Sequence, residues 1–418
     1  MSTPSATPSR DSRYYMLDFW RGVACLMVTV FHASFYATQN PAIVMTGPVF
    51  KTLSFVINIL WAGVPIFFVI SGYCITAACD SARARQGATR SYFFRRFRRI
   101  FPPYWTLLAL SLAFFLVVSF VGARHLYCDT IHPIADPGSL TWLQWLGNVS
   151  LTETWRHCLG GDLTQLFLGH AWTLCYEEQF YVVCGLVLWL TRRRFFLALG
   201  VVSLAVLPCA WGVLAGKGPS IDGFFFDGKW LLFALGILVY HRIHLAKGLV
   251  ARCEDAGLLV ALAAVLFAWR MTGDRPEAHV FLAELLSGVA FAAAILTLYR
   301  WDIRMACSRL LRPVSLCGTM CYSLYLVHWP VVKPLSHALY LAGLTAPWQT
   351  FLISIPLCVL VTVALAWVFH VHVERRFLNT PPTLPVRVPD TVWTGVREAD
   401  RSRMTLRDVK RNFLANLR

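Results

Sequence analysis

Long apolar runs separated by short polar and basic connections set the pattern of this chain from residue 14 to residue 371. Stretches such as "WTLLALSLAFFLVVSFVGA" and "FLISIPLCVLVTVALAWVF" have the length, about 20 residues, that a helix needs to cross the hydrocarbon core of a bilayer. The pattern predicts about ten such helices, over 14–36, 52–78, 101–122, 173–191, 195–214, 228–242, 257–270, 280–299, 314–334 and 349–371. The expected fold class is all-α: a polytopic membrane bundle of about ten transmembrane helices with both termini cytoplasmic. A polar tail, 1–13, precedes the bundle domain, 14–378, and a basic tail, 379–418, follows it.

Composition agrees: 57% of the residues are hydrophobic and 14% charged, against roughly 25% charged in soluble domains. The net charge of +16 would suit nucleic acid if it formed one patch, but it does not. Basic residues collect in alternate connections: Arg83 to Arg99, Arg192 to Arg194, Arg242 to Arg252, and Arg300 to Arg312. That is the asymmetry of cytoplasmic loops, so the expected partner is the lipid bilayer and not nucleic acid. The N-terminal "MSTPSATPSRDSR" lacks the short apolar core and cleavage site of a signal peptide, so the first span reads as an uncleaved anchor. In the tail, Leu406, Val409, Phe413 and Leu417 recur at helical spacing among basic residues, the pattern of an amphipathic helix on an anionic membrane surface.

The largest outer loop, about 123–172, carries Cys128 and Cys158, the cysteines placed where a disulfide can persist; bridged and unbridged forms are both compatible with the sequence. The other cysteines show no metal-ligand spacing and read as small packing residues. No metal and no tightly bound cofactor is expected. Asn148 in "NVS" matches a glycosylation acceptor, a weak signal.

The informative residues are the polar ones inside the spans. The first span, "LDFWRGVACLMVTVFHASF", holds Asp18, Arg21 and His32, although a charge at mid-bilayer costs roughly 2.5–3.5 kcal/mol on insertion scales. Arg21 and His32 are eleven positions apart, three turns at ~100° per residue, so they share one face about 16 Å apart along the axis. Asp18 can pair with Arg21 at i, i+3, and a neutral histidine can act as a general base. In "HAWTLCYEEQFYVV" Glu177 and Glu178 fall at a depth matching His32, as do Tyr325 and His328 in "CYSLYLVHWPVV". A carboxylate there can orient a histidine through its second nitrogen, and Tyr325 or His328 can help stabilise an oxyanion. "SYFFRRFRRIFPPYW" sets Arg95, Arg96, Arg98 and Arg99 beside a span, and guanidinium groups bind phosphates in bidentate fashion. "GVPIFFVISGY", with Pro65, Ser71 and Gly72, can interrupt its helix and free backbone groups to line a cavity. Each of these residues also has a plain structural reading, as an ion-paired anchor, a satisfied core histidine or a topology-setting charge.

Taken together, "LDFWRGVACLMVTVFHASF", "GVPIFFVISGYCIT", "FFRRFRRIFPPYW", "HAWTLCYEEQFY" and "YSLYLVHWPVV", with "VERRF" at 373–377, resemble the acyltransferase 3 family of multi-span membrane O-acyltransferases. Each motif alone is weak; the ordered set is specific and covers about 14–334. The resemblance implies transfer of an acyl group, usually acetyl, from cytoplasmic acyl-coenzyme A (acetyl-CoA as co-substrate) to a hydroxyl of a glycan, lipid-linked sugar or secondary metabolite. It places Arg21 and His32 at the family's essential arginine and histidine. It places Arg95, Arg96, Arg98 and Arg99 in the family's Arg-x-x-Arg pattern near the coenzyme phosphates; the residues themselves suggest Ser71 on that side and Glu177, Glu178, Tyr325 and His328 for the chemistry. It further implies a bacterial inner-membrane location, and a homo-oligomer is compatible with it. Pro65, where many members carry an acidic residue, and Cys175 depart from the family's pattern. The rival reading from another class is a secondary transporter with an intramembrane polar site, which would favour two similar halves; none is visible. A sensory or scaffolding membrane protein would explain the tail but not the polar cluster.

Overall fold

The computed structural model describes residues 14–378, apart from 39–44, 46, 84–87, 129–133, 217–222 and 274. The expected amphipathic helix of the tail lies outside the described residues, as does the side chain of Cys128 and with it the question of a bridge to Cys158.

The described secondary structure is helical, with no strand among the described residues. Its long helices are α1 (Leu17–Thr38), α2 (Gly63–Arg83), α3 (Ala88–Phe120), α4 (Trp172–Leu190) and α5 (Phe195–Ala215). There follow α6 (Lys229–His244), α7 (Gly248–Met271), α8 (Pro276–Leu298), α9 (Cys321–Leu341) and α10 (Ile355–His372). By length and hydropathy, 5 helical stretches among the described residues suffice to cross a membrane: Pro48–Arg83, Thr89–Phe120, Arg192–Gly212, Pro276–Ala306 and Pro347–Arg376. Three helices that carry polar candidates, α1, α4 and α9, are not among them. Arginine, glutamate and histidine lower their hydropathy, and among those side chains Arg21, His32, Glu177 and His328 line an internal cavity.

α1 sits at the centre, packed by α2, α9, α10 and the short helix Arg312–Thr319. Its start is held by Asp302, whose carboxylate accepts the backbone N–H groups of Tyr15 at 3.0 Å and Met16 at 2.8 Å. Those are otherwise orphan donors at a helix entry. Two glycine contacts set the spacing. A Cβ on Gly318 would lie 1.6 Å from the Asp18 carbonyl oxygen, and one on Gly22 would lie 2.0 Å from that of Val314. α2 and α6 meet in the same way: a Cβ on Gly72 would fall 2.1 Å from the Phe233 oxygen, and one on Gly236 would fall 2.0 Å from that of Val69. Small residues let backbones approach this closely inside a membrane.

Two expectations are corrected here. Gly72 does not open its helix toward a cavity; α2 runs unbroken past it, and the glycine serves packing against α6. The single helix expected over 314–334 is two, Arg312–Thr319 and α9, separated at Met320, because the first must lie against the opening turns of α1 before the chain redirects.

The segment between α3 and α4 folds down onto α3. Tyr104 Oη donates to the Asn148 carbonyl at 2.8 Å and Trp105 Nε1 to that of Val149 at 2.9 Å. Asn148 is fully buried, its amide donating to Gln144 and Gln165 and its oxygen accepting the Phe167 N–H. It is a structural residue and not a glycosylation acceptor.

Overpacking a tight core contact costs roughly 1–3 kcal/mol. Gly318→Ala and Gly236→Ala should therefore lower the melting temperature in detergent. Gly200→Ala and Gly257→Ala, where a Cβ meets nothing within 4 Å, should leave it unchanged or raise it.

Candidate active site

A cavity of about 160 Å³ runs beside α1 and is lined by both Arg21 and His32. Its arginine end collects basic and acidic groups from four elements. Arg21 donates to Asp18 Oδ1 at 3.3 Å and to Cys74 Sγ at 3.0 Å, so α2 holds the guanidinium that α1 supplies. α3 contributes Arg96 and Arg99. Arg96 lies over the Tyr181 ring at 5.3 Å and the Tyr92 ring at 6.0 Å, a placement suited to a planar cation. Arg99 is within electrostatic reach of Arg21, Arg96 and Glu374. Glu177 accepts the Tyr181 hydroxyl at 2.5 Å, and Ser71 lines the same wall. Opposite stands Glu374, buried, accepting from Ser323 Oγ at 2.5 Å and paired with His370 Nδ1 at 2.7 Å.

At the other end three histidines gather. The His32 and His328 ring centroids are 5.1 Å apart, as are those of His170 and His328. His32 Nδ1 lies 2.9 Å from the Val28 carbonyl and His328 Nδ1 2.5 Å from that of Tyr325. A carbonyl only accepts, so each Nδ1 carries the proton, and in the neutral ring the lone pair is on Nε2. The Nε2 atom of His328 meets no partner among the described residues. His170, from the turn Gly169–Ala171, is 5% exposed; neither ring nitrogen makes a well-formed hydrogen bond among those residues, although the Leu326 backbone lies within reach. Burial, reinforced by nearby His32, pushes the His170 pKa from 6.5 down to about 3.

The structure thus brings together Arg21, His32, Arg96, Arg99, Ser71, Glu177, Tyr325 and His328 on one cavity. It leaves others out. Arg98 is exposed and donates to the Arg376 carbonyl at 3.1 Å, and Arg95 does not line the cavity. Glu178 is turned away from it, with Oε1 unpartnered. Among the described residues no carboxylate orients a cavity histidine in the way expected of Glu177 or Glu178; Glu177 is engaged with Tyr181, and backbone carbonyls hold His32 and His328 instead. Tyr325 is not free to serve an oxyanion, because its one proton goes to the His170 carbonyl at 2.7 Å while it accepts from Thr173 at 2.9 Å. It positions the turn that carries His170. His170 and Glu374 escaped the sequence reading; the only signal was their presence in the "HAWTLCYEEQFY" and "VERRF" stretches.

Residues 14–371 match a family model described as an acyltransferase domain. "Protein 2 in picA locus" of Rhizobium radiobacter is 28% identical over 170 residues, 40% of this chain and 79% of that protein. "O-acetyltransferase OatA" of Staphylococcus aureus is 24% identical over 344 residues, 76% of this chain and 52% of its own length. "Peptidoglycan O-acetyltransferase OatA" of Listeria monocytogenes is 25% identical over 314 residues, 68% of this chain and 47% of its own length. The chain therefore spans about half the length of these two relatives. No solved structure matches at a significant level.

The His170 shift has a signed consequence. Below pH 6.5 the unfolded chain binds a proton on this residue that the folded state refuses until about pH 3, so stability falls as pH drops through that window. Between pH 7 and 5 this one group accounts for about 2 kcal/mol. A His170→Asn variant should lose correspondingly less stability over that range in unfolding curves taken at the two pH values; equal losses would remove His170 as the source.

Proposed function

The chain belongs to the acyltransferase domain family, and from that membership and the cavity's geometry we propose that it is an integral-membrane O-acyltransferase. It moves an acyl group, acetyl by default, from acyl-coenzyme A to a hydroxyl of a carbohydrate-type acceptor. The observation that carries the reading is one cavity with guanidinium groups at one end and, about three helical turns along α1, His32 with its Nδ1 proton held on Val28. The names of the OatA relatives, one of them a peptidoglycan O-acetyltransferase, support the acetyl group and the glycan-type acceptor. The basic connections support a multi-pass arrangement in a bacterial inner membrane with the arginine end facing the cytoplasm.

In this reading Arg96 and Arg99, with Arg21 behind them, attract the phosphates of the coenzyme. A cavity of about 160 Å³ resembles those that accept a benzene-sized molecule. It has room for the acyl thioester and the end of the pantetheine arm, so the nucleotide stays at the mouth. His32 Nε2 removes the acceptor's hydroxyl proton as that oxygen attacks the thioester carbonyl. The new C–O bond forms, the C–S bond breaks, and the proton passes from the imidazolium to the departing coenzyme thiolate. The same Nε2 could instead take the acyl group first and pass it on; a labelled protein after incubation with radioactive acetyl-CoA and no acceptor would distinguish that order. His328, with its proton on Nδ1, offers the cavity an acceptor, so it contributes to holding a hydroxyl and not to stabilising an oxyanion.

General base catalysis contributes about 10²–10⁴-fold. His32→Ala should therefore lower kcat by that factor with a nearly unchanged KM for acetyl-CoA, measured on purified protein in lipid nanodiscs. Wild-type turnover would exclude the role. In the same assay Arg96→Ala and Arg99→Ala should raise KM for acetyl-CoA about tenfold or more, and Arg98→Ala should raise it far less.

A further inference from the structure

A second cavity of about 280 Å³ adjoins the first, sharing His32, His170 and Trp172 with it. Its remaining walls include Tyr36 from α1 and Trp329 from α9. We propose that this second cavity is the acceptor subsite, built to hold a single pyranose ring of a sugar substrate. The inference rests on the acyl-transfer reading and deepens it by naming where the acceptor sits and what recognises it.

Three features carry it. The first is the aromatic lining. A pyranose has polar edges and flat faces made of C–H groups, and those faces pack on aromatic rings. Trp172, Trp329 and Tyr36 supply such surfaces around one small space. The second is that Trp329 is fixed in place. Its Nε1 donates to Tyr36 Oη at 2.8 Å, the buried Lys333 ammonium lies 4.9 Å from its ring and 5.4 Å from that of Tyr36, and its edge occupies the space above Gly169, where a Cβ would come within 2.9 Å. Because Tyr36 Oη accepts from Trp329, its own proton is left to donate to a ligand oxygen.

The third is the polar wall. Buried polar groups without partners are costly, yet the His170 ring nitrogens make no well-formed hydrogen bond among the described residues, the Leu326 backbone being the acceptor within reach of one of them, in a side chain that is 5% exposed and lines this cavity. Hydroxyls around a sugar ring are the complementary groups. A ring seated on the aromatic side thus brings a hydroxyl to His32, which is common to both cavities, while the thioester approaches from the other. His32 and His170 are the partition between donor and acceptor.

The test is saturation-transfer NMR on the full chain in nanodiscs, without any acyl donor, using a panel of methyl pyranosides and the open-chain polyol sorbitol. The expected result is transfer to pyranosides and not to sorbitol. Trp329→Leu should weaken pyranoside binding about tenfold, while Trp329→Phe, which keeps a ring, should retain most of it. Should Trp329→Leu melt early, Tyr36→Ala carries the same expectation. Equal signals for sorbitol and pyranosides, no pyranoside signal, or wild-type affinity in folded Trp329→Leu would overturn the subsite. Because no donor is present, the readout separates the two readings. Pyranoside binding by a protein that never consumes acetyl-CoA would sink acyl transfer, and acetyl-CoA turnover without pyranoside binding would sink the subsite alone.

Discussion

The hydrogen bond from His32 Nδ1 to the Val28 carbonyl, 2.9 Å and four residues back in the same helix, fixes which ring nitrogen bears the proton, and the chemistry of the cavity depends on it. A helix carbonyl has two lone pairs and its ladder bond occupies one, so α1 orients its own histidine without a second residue. This is why no carboxylate is needed beside His32, and why Glu177 is free to sit among Tyr181, Ser71 and the arginines. His328 repeats the device with the Tyr325 carbonyl.

That local bond has value only if α1 stays at one depth and rotation. Asp302 holds its first turn, and the Gly22 and Gly318 contacts leave no space for it to slide or turn without backbone collision. The same contacts explain how a helix with Asp18, Arg21 and His32 is tolerated. Polar groups at membrane depth are accepted where they face protein or a cavity and not lipid. α1 is wrapped by its neighbours, and Arg21 and His32 open on the cavity while Asp18 pairs with Arg21.

Much of this was legible in the sequence wherever a helical period applied. Arg21 and His32 share a face because eleven residues make three turns. The helices of the bundle are announced by their apolar runs, although the hydropathy of the helices bearing the polar groups is diluted by those same groups. What period could not decide was which arginines of "FFRRFRRIF" turn inward. The four cations within five residues spread over about 160° of the helix circumference, and packing against α4 and α9 selects Arg96 and Arg99. His170 was illegible for a different reason. It stands in a turn, where no periodicity operates, and reaches the site because Tyr325 from α9 grips its carbonyl across 155 positions of sequence. Likewise the break at Met320 follows from a glycine contact with α1 that no local signal announces.

The placement of His170 and Trp329 carries a physical consequence for the reaction. In the proposed acyl transfer, a thioester between the two cavities would be exposed to water from either side, and hydrolysis would compete with transfer unless the dividing wall is dry. Here that wall is aromatic and imidazole rings in mutual contact: His32 stacked on Tyr36 at 6.1 Å, His170 tilted over Trp329 at 5.7 Å, and His328 between the two histidines. Rings of this kind exclude water by bulk while leaving a nitrogen lone pair accessible in their plane. If His32 is the base, as proposed, a base in such a wall would meet a hydroxyl when a ligand brings one, so selectivity for the acceptor over water would follow from the packing of the partition rather than from the intrinsic reactivity of His32.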